Sequence, residues 1–227
     1  MKKEIVVIHS GGMDSSLCLF LACEEFGARA TCSLSFDYGQ RHHGELEHAA
    51  HIAHHFGVDH QVLDISSLKP CWEGSALVDR TLKIDHAPGT IPNTFVVGRN
   101  GIFVHLAATW AAQHGANILS LGVMERADAN SGYPDTSRHY MDLMQSICRL
   151  DLGRPDFEVR TPLVQLDKLE TLELAASKNI LSWLLENTIS CYEGIPLEGC
   201  RKCPACLLRN AGIAQFRRKY PHVPLPY

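Results

Sequence analysis

The feature that most narrows the fold of this chain is a change of period close to its amino end. Ile5-Val6-Val7-Ile8 is an unbroken β-branched run, of a length that suits a buried strand and is too short for a helix. It stops at Ser10-Gly11-Gly12-Met13-Asp14-Ser15-Ser16. A helical pattern then begins at once, with Leu17, Phe20 and Leu21 on one face and Leu19, Ala22, Cys23 and Phe26 beside them. A strand that turns through adjacent glycines into a helix start makes an anion site. The N–H groups of the first turn have no internal partners, and the helix dipole places partial positive charge there. Gly11 and Gly12 admit positive φ and the close approach of a phosphate, while Ser10, Ser15 and Ser16 add hydroxyl donors. Neither G-x-x-x-x-G-K-[ST] nor G-x-G-x-x-G fits this spacing.

The alternation continues downstream. Ala30–Phe36 reads as a second strand, ending in Tyr38-Gly39-Gln40-Arg41-His42. Glu45–Phe56 reads as a helix with Leu46, Ala49, Ala50 and Ala53 inward, Gly57 stands where its carboxyl end wants a left-handed residue, and His60–Ile65 supplies a third strand. A β-α-β-α-β order predicts an α/β fold, a parallel sheet with right-handed crossovers and ligands at the carboxyl ends of its strands. Ser66–Asn93 is irregular, with Pro70, Pro88, Gly89 and Pro92. The helix Gly101–His114 is apolar nearly all round, which predicts burial, and Arg99 and Asn100 at its entrance suit an anion and a planar heterocycle.

Asn117–Val123 is a fourth strand, ending in a polar loop that carries Glu125, Asp128, Asn130, Ser131, Gly132, Tyr133, Pro134 and Asp135. Carboxylates and an aromatic ring at a strand end suit a purine-like edge; ordinary turn chemistry is the plainer reading. Helices are expected at Ser137–Cys148, Lys168–Asn179 and Leu207–Arg218, with a short strand at Val159–Thr161. Lys168 opens its helix, where a cation does not help the dipole, so a phosphate is a candidate partner. Six histidines fall between His42 and His55, but no H-E-x-x-H accompanies them, and only His42 lies on a loop rather than in the helix body.

Cys191, Cys200, Cys203 and Cys206 form the second strong signal. Three of them stand at x₂ intervals, and glycines at 194 and 199 supply turns, which suits a closed four-thiolate zinc site of structural type. An iron–sulfur cluster is the competing reading of C-x₂-C-x₂-C. Nine cysteines with no export signal in the sequence suggest a reducing compartment, with the cytoplasm as default. A formal charge of −4 speaks against an electrostatic nucleic-acid binder, and no apolar run reaches membrane-spanning length. The basic residues Arg201, Lys202, Arg209, Arg217 and Arg218 keep an RNA-gripping zinc ribbon as a rival of another class. At 227 residues we expect an α/β body over 1–185 and a small cysteine-rich, helical segment over 186–227.

The S-G-G-M-D-S-S turn resembles the pyrophosphate loop of the N-type ATP pyrophosphatases. Together with YGQRH (38–42), GRN (98–100), SGYPD (131–135), PL-x₄-K (162–168) and SCYEG…C-x₂-C-x₂-CLLR (190–209), it resembles the 7-cyano-7-deazaguanine synthases of queuosine biosynthesis across essentially the whole chain. The resemblance implies a Rossmann-like fold of the adenine nucleotide alpha hydrolase type, and ligation of 7-carboxy-7-deazaguanine with ammonia using ATP, through an adenylated acid and an amide to the nitrile. It implies a nucleotide loop of Ile8, His9, Ser10, Gly11, Gly12, Met13, Asp14, Ser15, Ser16 and Leu17, with Asp14 also a magnesium ligand. Asp14, Lys168, Gln40 and His42 would serve the reacting centre, and Tyr38, Arg99, Asn100, Tyr133, Asp135 and Arg138 the deazaguanine side. A structural zinc on Cys191, Cys200, Cys203 and Cys206, and a homodimer, complete what it implies. Three places depart from the family pattern: Val97 stands where proline is expected, Glu125–Asn130 is wider than usual, and Thr136 replaces a common cysteine. These departures keep open a relative that transfers the same acid to another nucleophile, such as a protein amine.

Overall fold

A computed structural model describes residues 2–42, 44–85, 91–126 and 132–227. Pro88, Gly89, Asp128, Asn130 and Ser131, which were singled out above, lie outside them. Five parallel strands run β1 (Ile5–Ile8), β2 (Thr31–Asp37), β3 (Asp59–Asp64), β4 (Ile118–Leu121) and β5 (Glu158–Arg160), in the spatial order β3-β2-β1-β4-β5. Helices α1 (Met13–Phe26), α2 (Gly44–His55), α3 (Arg99–Gln113), α4 (Arg138–Leu152), α5 (Lys168–Ser177), α6 (Leu181–Asn187) and α7 (Pro204–Lys219), with short 3-10 helices at Ser66–Trp72 and Pro134–Thr136, complete the element order of the described residues. The chain winds outward from β1 in one direction through β2 and β3, then in the other through β4 and β5. β1 therefore lies at the switch in strand order, where doubly wound sheets open a crevice at their carboxyl ends. The expected Rossmann-like class is what the chain adopts.

The β-branched run of β1 is buried on both faces because helices cover both. Ile5 and Val7 join Leu17, Leu172, Leu184 and Phe216 on one side, and Val6 joins Leu34, Val104, Leu119 and Phe157 on the other. Leu17 is completely buried, and truncating such a side chain to alanine costs about 2–5 kcal/mol. β3, at the edge, is exposed at alternate and neighbouring positions, which matches its polar sequence.

Two expectations are corrected by the packing. The buried residues of α2 are Ala49, Ile52 and Ala53 rather than Leu46 and Ala50, so its inner face is rotated from the one read in the sequence and brings Glu45, one turn before Ala49, towards the interior. α3 is not buried all round, because His105 and Thr109 are exposed on its outer face. α6 was not foreseen. Its Leu181, Leu184 and Leu185 pack into the same cluster as α1. Gly57 does end α2 with a left-handed φ of 67°.

Candidate active site

A cavity of about 330 Å³ opens at the carboxyl ends of β1, β2 and β4. Its floor is the turn after β1. Ser10 N–H donates to Ser15 Oγ at 3.1 Å, and the Ser15 and Ser16 hydroxyls donate to the Gly12 carbonyl at 3.1 and 2.8 Å. Gly11 has φ 76°, and a Cβ there would lie 2.7 Å from the Glu45 carbonyl oxygen, so only glycine lets the loop and α2 meet. Gly122, just past β4, is held to glycine for the same reason: a Cβ would lie 2.8 Å from the backbone of Asp14 and Ser15.

Behind the floor runs a buried polar chain. Ser16 Oγ and Ser33 Oγ flank His9 at 3.0 Å each, and Ser33 Oγ meets His60 Nδ1 at 2.9 Å. Because the Ser16 hydroxyl is spent on the Gly12 carbonyl, His9 Nε2–H donates to Ser16 and Nδ1 accepts from Ser33. Burial, with a smaller push from His60, lowers the His9 pKa to about 3, so the ring stays neutral and the loop keeps this pattern.

On the floor, Lys168 Nζ pairs with Asp14 Oδ2 at 2.6 Å, and Asp14 Oδ1 is buried with no partner. The lysine is brought there by α5, whose start is fixed by a reciprocal cap between Asp167 and Glu170, and by Gly212 of α7, which leaves room for its Cβ. A buried carboxylate oxygen without a partner fits a divalent cation, which takes one or two carboxylates and keeps its waters.

The opposite wall is built from scattered segments. Arg99 Nη1 donates to Tyr38 Oη at 3.1 Å, its guanidinium lies 5.6 Å from the Tyr38 ring centroid, and its Nε is buried with no partner. Asn100 is tied to Asp135 through its N–H and its side-chain amide, both at 3.3 Å. Tyr133 Oη meets Thr94 Oγ1 at 2.7 Å and Tyr192 Oη at 3.1 Å. Gln40 accepts the Tyr38 N–H at 2.9 Å and donates to the Phe36 carbonyl at 3.2 Å, which shapes the loop after β2. The His42 ring fills the space over Gly194, where any side chain would collide with it, and its Nε2 is buried without a partner. Burial, with His48 nearby, holds His42 below the usual histidine range.

The four cysteines Cys191, Cys200, Cys203 and Cys206 converge, with all four Sγ atoms within 4.8 Å of one another. Cys200 and Cys206 Sγ lie 3.9 Å apart, close to the roughly 3.8 Å edge that tetrahedral Zn–S bonds of about 2.3 Å require. The Lys202 and Cys203 N–H groups point at Cys200 Sγ at 3.4 and 3.2 Å, as they do around a thiolate. Gly199 is held to glycine by the Cys206 sulfur. The donor set therefore fits zinc, and with four ligands it leaves no open position. Cys191 and Tyr192 also line the cavity, so the cysteine segment is one of its walls.

The family model for queuosine biosynthesis protein QueC matches residues 4–217. The chain belongs to that family. Among solved structures it is similar to a 4-thiouridine synthetase in complex with RNA and ATP, at 15% identity and a TM-score of 0.52 over 96% of this chain, though it spans only 51% of that one. It is also similar to an NMN synthetase from Francisella tularensis, at 16% identity and a TM-score of 0.49, covering 100% of this chain and 90% of that one. At 15% identity the first of these likenesses is one of fold alone.

For this QueC-family chain, the residues proposed from sequence divide by position. Ile8, Ser10, Gly12, Met13, Asp14, Ser15, Gln40, His42, Arg99, Asn100, Tyr133 and Lys168 border the cavity. His9, Gly11 and Ser16 support its floor from behind, and Leu17 lies in the core. Tyr38 and Asp135 are buried one layer back, holding Arg99 and Asn100. Arg138 is turned away: it donates to the Val159 carbonyl, Thr161 and Asp142, and so braces α4 against β5. Glu45 was missed, along with Phe103 and Tyr192. The sequence carried no signal for Glu45, because the apolar positions of α2 suggest an inner face rotated from the real one. Enclosure by protein raises its pKa to about 7, although Arg99 and a hydrogen bond with Gln40 act the other way.

Proposed function

We propose that this protein uses ATP to adenylate the carboxyl group of 7-carboxy-7-deazaguanine and, with ammonia, converts it through the amide to 7-cyano-7-deazaguanine. The observation that carries the proposal is one cavity, in a QueC-family chain, that joins the amino end of α1 to the Arg99–Tyr133 wall. A carboxylate resists nucleophiles until a phosphate-type leaving group is attached. Attaching one requires the β- and γ-phosphates to be held while charge builds on them. The free N–H groups at the start of α1, the serine hydroxyls and the Lys168 ammonium are donors suited to that task. A magnesium ion on Asp14 would screen the phosphates. Zinc on the four cysteines would secure the wall that carries Tyr192.

The planar base fits against the far wall, where the guanidinium of Arg99, the Asn100 amide and the Tyr133 ring meet. That arrangement puts the acid's carboxyl group towards the loop, between Gln40 and His42. No nucleophilic side chain is needed, since positioning and charge stabilisation carry the activation. Of the departures from the family pattern, Thr136 borders the cavity and donates to the Tyr133 carbonyl, on the side proposed for the base. Incubation with ATP, the carboxylated deazaguanine and ammonium, followed by mass spectrometry, tests the proposal. The expected product is the nitrile, with AMP and pyrophosphate released. AMP formed without amide or nitrile would point instead to a different acceptor, such as a protein amine.

A further inference from the structure

Among the described residues, two carboxylates border the cavity, Asp14 and Glu45. Asp14 is engaged by Lys168 at 2.6 Å. Glu45 has no such lysine. It is carried on the first turn of α2, its own carbonyl packs against Gly11, and its side chain borders the cavity within reach of the Arg99 charge. Gln40, which favours its charged form, is itself clamped to the backbone at both ends of its amide. Catalysis by proton transfer asks for such a group: carried on a helix, partly shielded from water, and bordering the pocket where the reacting atoms would sit.

We infer that Glu45 is the proton acceptor of this site, taking the N–H protons that the incoming nitrogen must shed. The inference rests on the reaction proposed above. In the first half, the ammonia lone pair forms a C–N bond to the carbonyl carbon of the acyl adenylate, and the C=O π pair moves onto oxygen. Glu45 removes one N–H proton, the C=O re-forms, and the C–O bond to AMP breaks with its electron pair leaving on the phosphate. The products are the amide, AMP and a protonated Glu45, which returns its proton to water. In the second half, the amide oxygen displaces pyrophosphate from a second ATP. Loss of the two remaining N–H protons, one to solvent and one to Glu45, then forms the C≡N triple bond and expels AMP.

The environment is consistent with this cycle. Enclosure raises the Glu45 pKa to about 7, so near neutrality both the accepting and the protonated forms are populated. The charged and titratable groups that share the cavity with it are Arg99 from α3, Arg41 and His42 from the loop after β2 with Tyr38 behind them, Tyr133, Cys191 and Tyr192 from the far wall, Arg209 from α7, and the Asp14–Lys168 pair. Arg99 acts against that rise and keeps Glu45 from being driven higher.

The test is Glu45→Gln, which keeps the shape and removes the base. Acid-dependent exchange of labelled pyrophosphate into ATP is measured beside amide and nitrile formation at several pH values and one ammonium concentration. The expected result is product formation slowed by about 10²-fold or more while exchange falls by less than tenfold. Below neutrality the wild-type rate should also fall more steeply with acid than the variant's, because ammonia's own ionisation affects both alike. Equal loss of exchange and product, or an unchanged pH profile, would overturn the inference, as would a raised KM for the acid at unaltered turnover, which would assign Glu45 to holding the base. If the wild-type protein shows no acid-dependent exchange, the proposed function itself fails, whatever the variant does. Glu45→Asp, with the same charge on a shorter stem, should recover part of the product rate. No recovery, with the fold intact by circular dichroism, would also count against a proton-transfer role.

Discussion

Ser10 to Ser15, which form the floor of the cavity, are consecutive in the chain and hold one another through their own hydroxyls and backbone. The facing wall is assembled differently. Its hydrogen-bonded series Thr94–Tyr133–Tyr192 joins residues 39 and then 59 positions apart, and the last of them is delivered by the cysteine segment. The floor therefore depends on local backbone geometry, whereas the wall depends on three distant segments arriving together. The contrast teaches that damage to the floor should cost chemistry with little loss of fold. Damage to the wall should cost fold and substrate fit together.

The sharpest break of that contrast is Asp14→Ala. Removing the carboxylate should lower acid-dependent pyrophosphate exchange by at least about 10²-fold, because a charge that positions the phosphates is lost. Thermal unfolding should move by only a few degrees, since the Asp14 side chain is 29% exposed and fills no core space. A collapse of the melting temperature comparable to the loss of rate would refute the local account of the floor.

On the wall side, Cys203→Ser should do the reverse. A four-thiolate metal contributes folding free energy directly, so losing one ligand should cost about 3 kcal/mol or more, a shift of roughly 10 °C in a chain this long. Metal content by elemental analysis should fall in step. The same variant should weaken binding of the acid before it weakens ATP, because Cys191 and Tyr192 border the cavity on that side. A metal-free variant with an unchanged melting curve would remove the structural role.

A smaller effect sits beneath the floor. His9 has its pKa lowered to about 3 by burial, so between its ordinary value of 6.5 and that figure the unfolded chain binds a proton that the folded one refuses. Stability is therefore whole above about pH 6.5 and declines as acid is added. The His9 share of the loss between pH 7 and pH 5 is about 2 kcal/mol. His9→Asn should show a shallower decline in urea unfolding over that window, and an identical slope would contradict the neutral-ring account. Smallest of all, Tyr133→Phe breaks the links to Thr94 and Tyr192 and should cost about 1 kcal/mol, seen as a KM for the acid raised several-fold with the KM for ATP unmoved.

How far the sequence foretold this molecule follows the same division. The floor was legible because strand, turn and helix are contiguous, and the change of period from Ile8 to Leu17 reports them directly. The cysteine set was legible because ligand spacing is a chemical requirement. The family resemblance also stood on those motifs, and the family model agrees. Arg138 shows where such reading stops: the family resemblance implied that it serves the base, yet its guanidinium is occupied by β5 and Asp142. Arg209 likewise looked available to RNA beside Arg201 and Lys202, but it is 5% exposed and donates to the Leu197 carbonyl. Glu45 was hidden by a rotation of the α2 face, which no period in the sequence distinguishes because Leu46, Ala49, Ala50 and Ile52 are all apolar.

The most direct measurement is exchange of labelled pyrophosphate into ATP by the purified protein, with and without 7-carboxy-7-deazaguanine and with no ammonia added. If the start of α1 holds the triphosphate while the carboxyl group attacks, label should enter ATP only when the acid is present. Exchange that never appears, or that proceeds equally without the acid, would contradict that account.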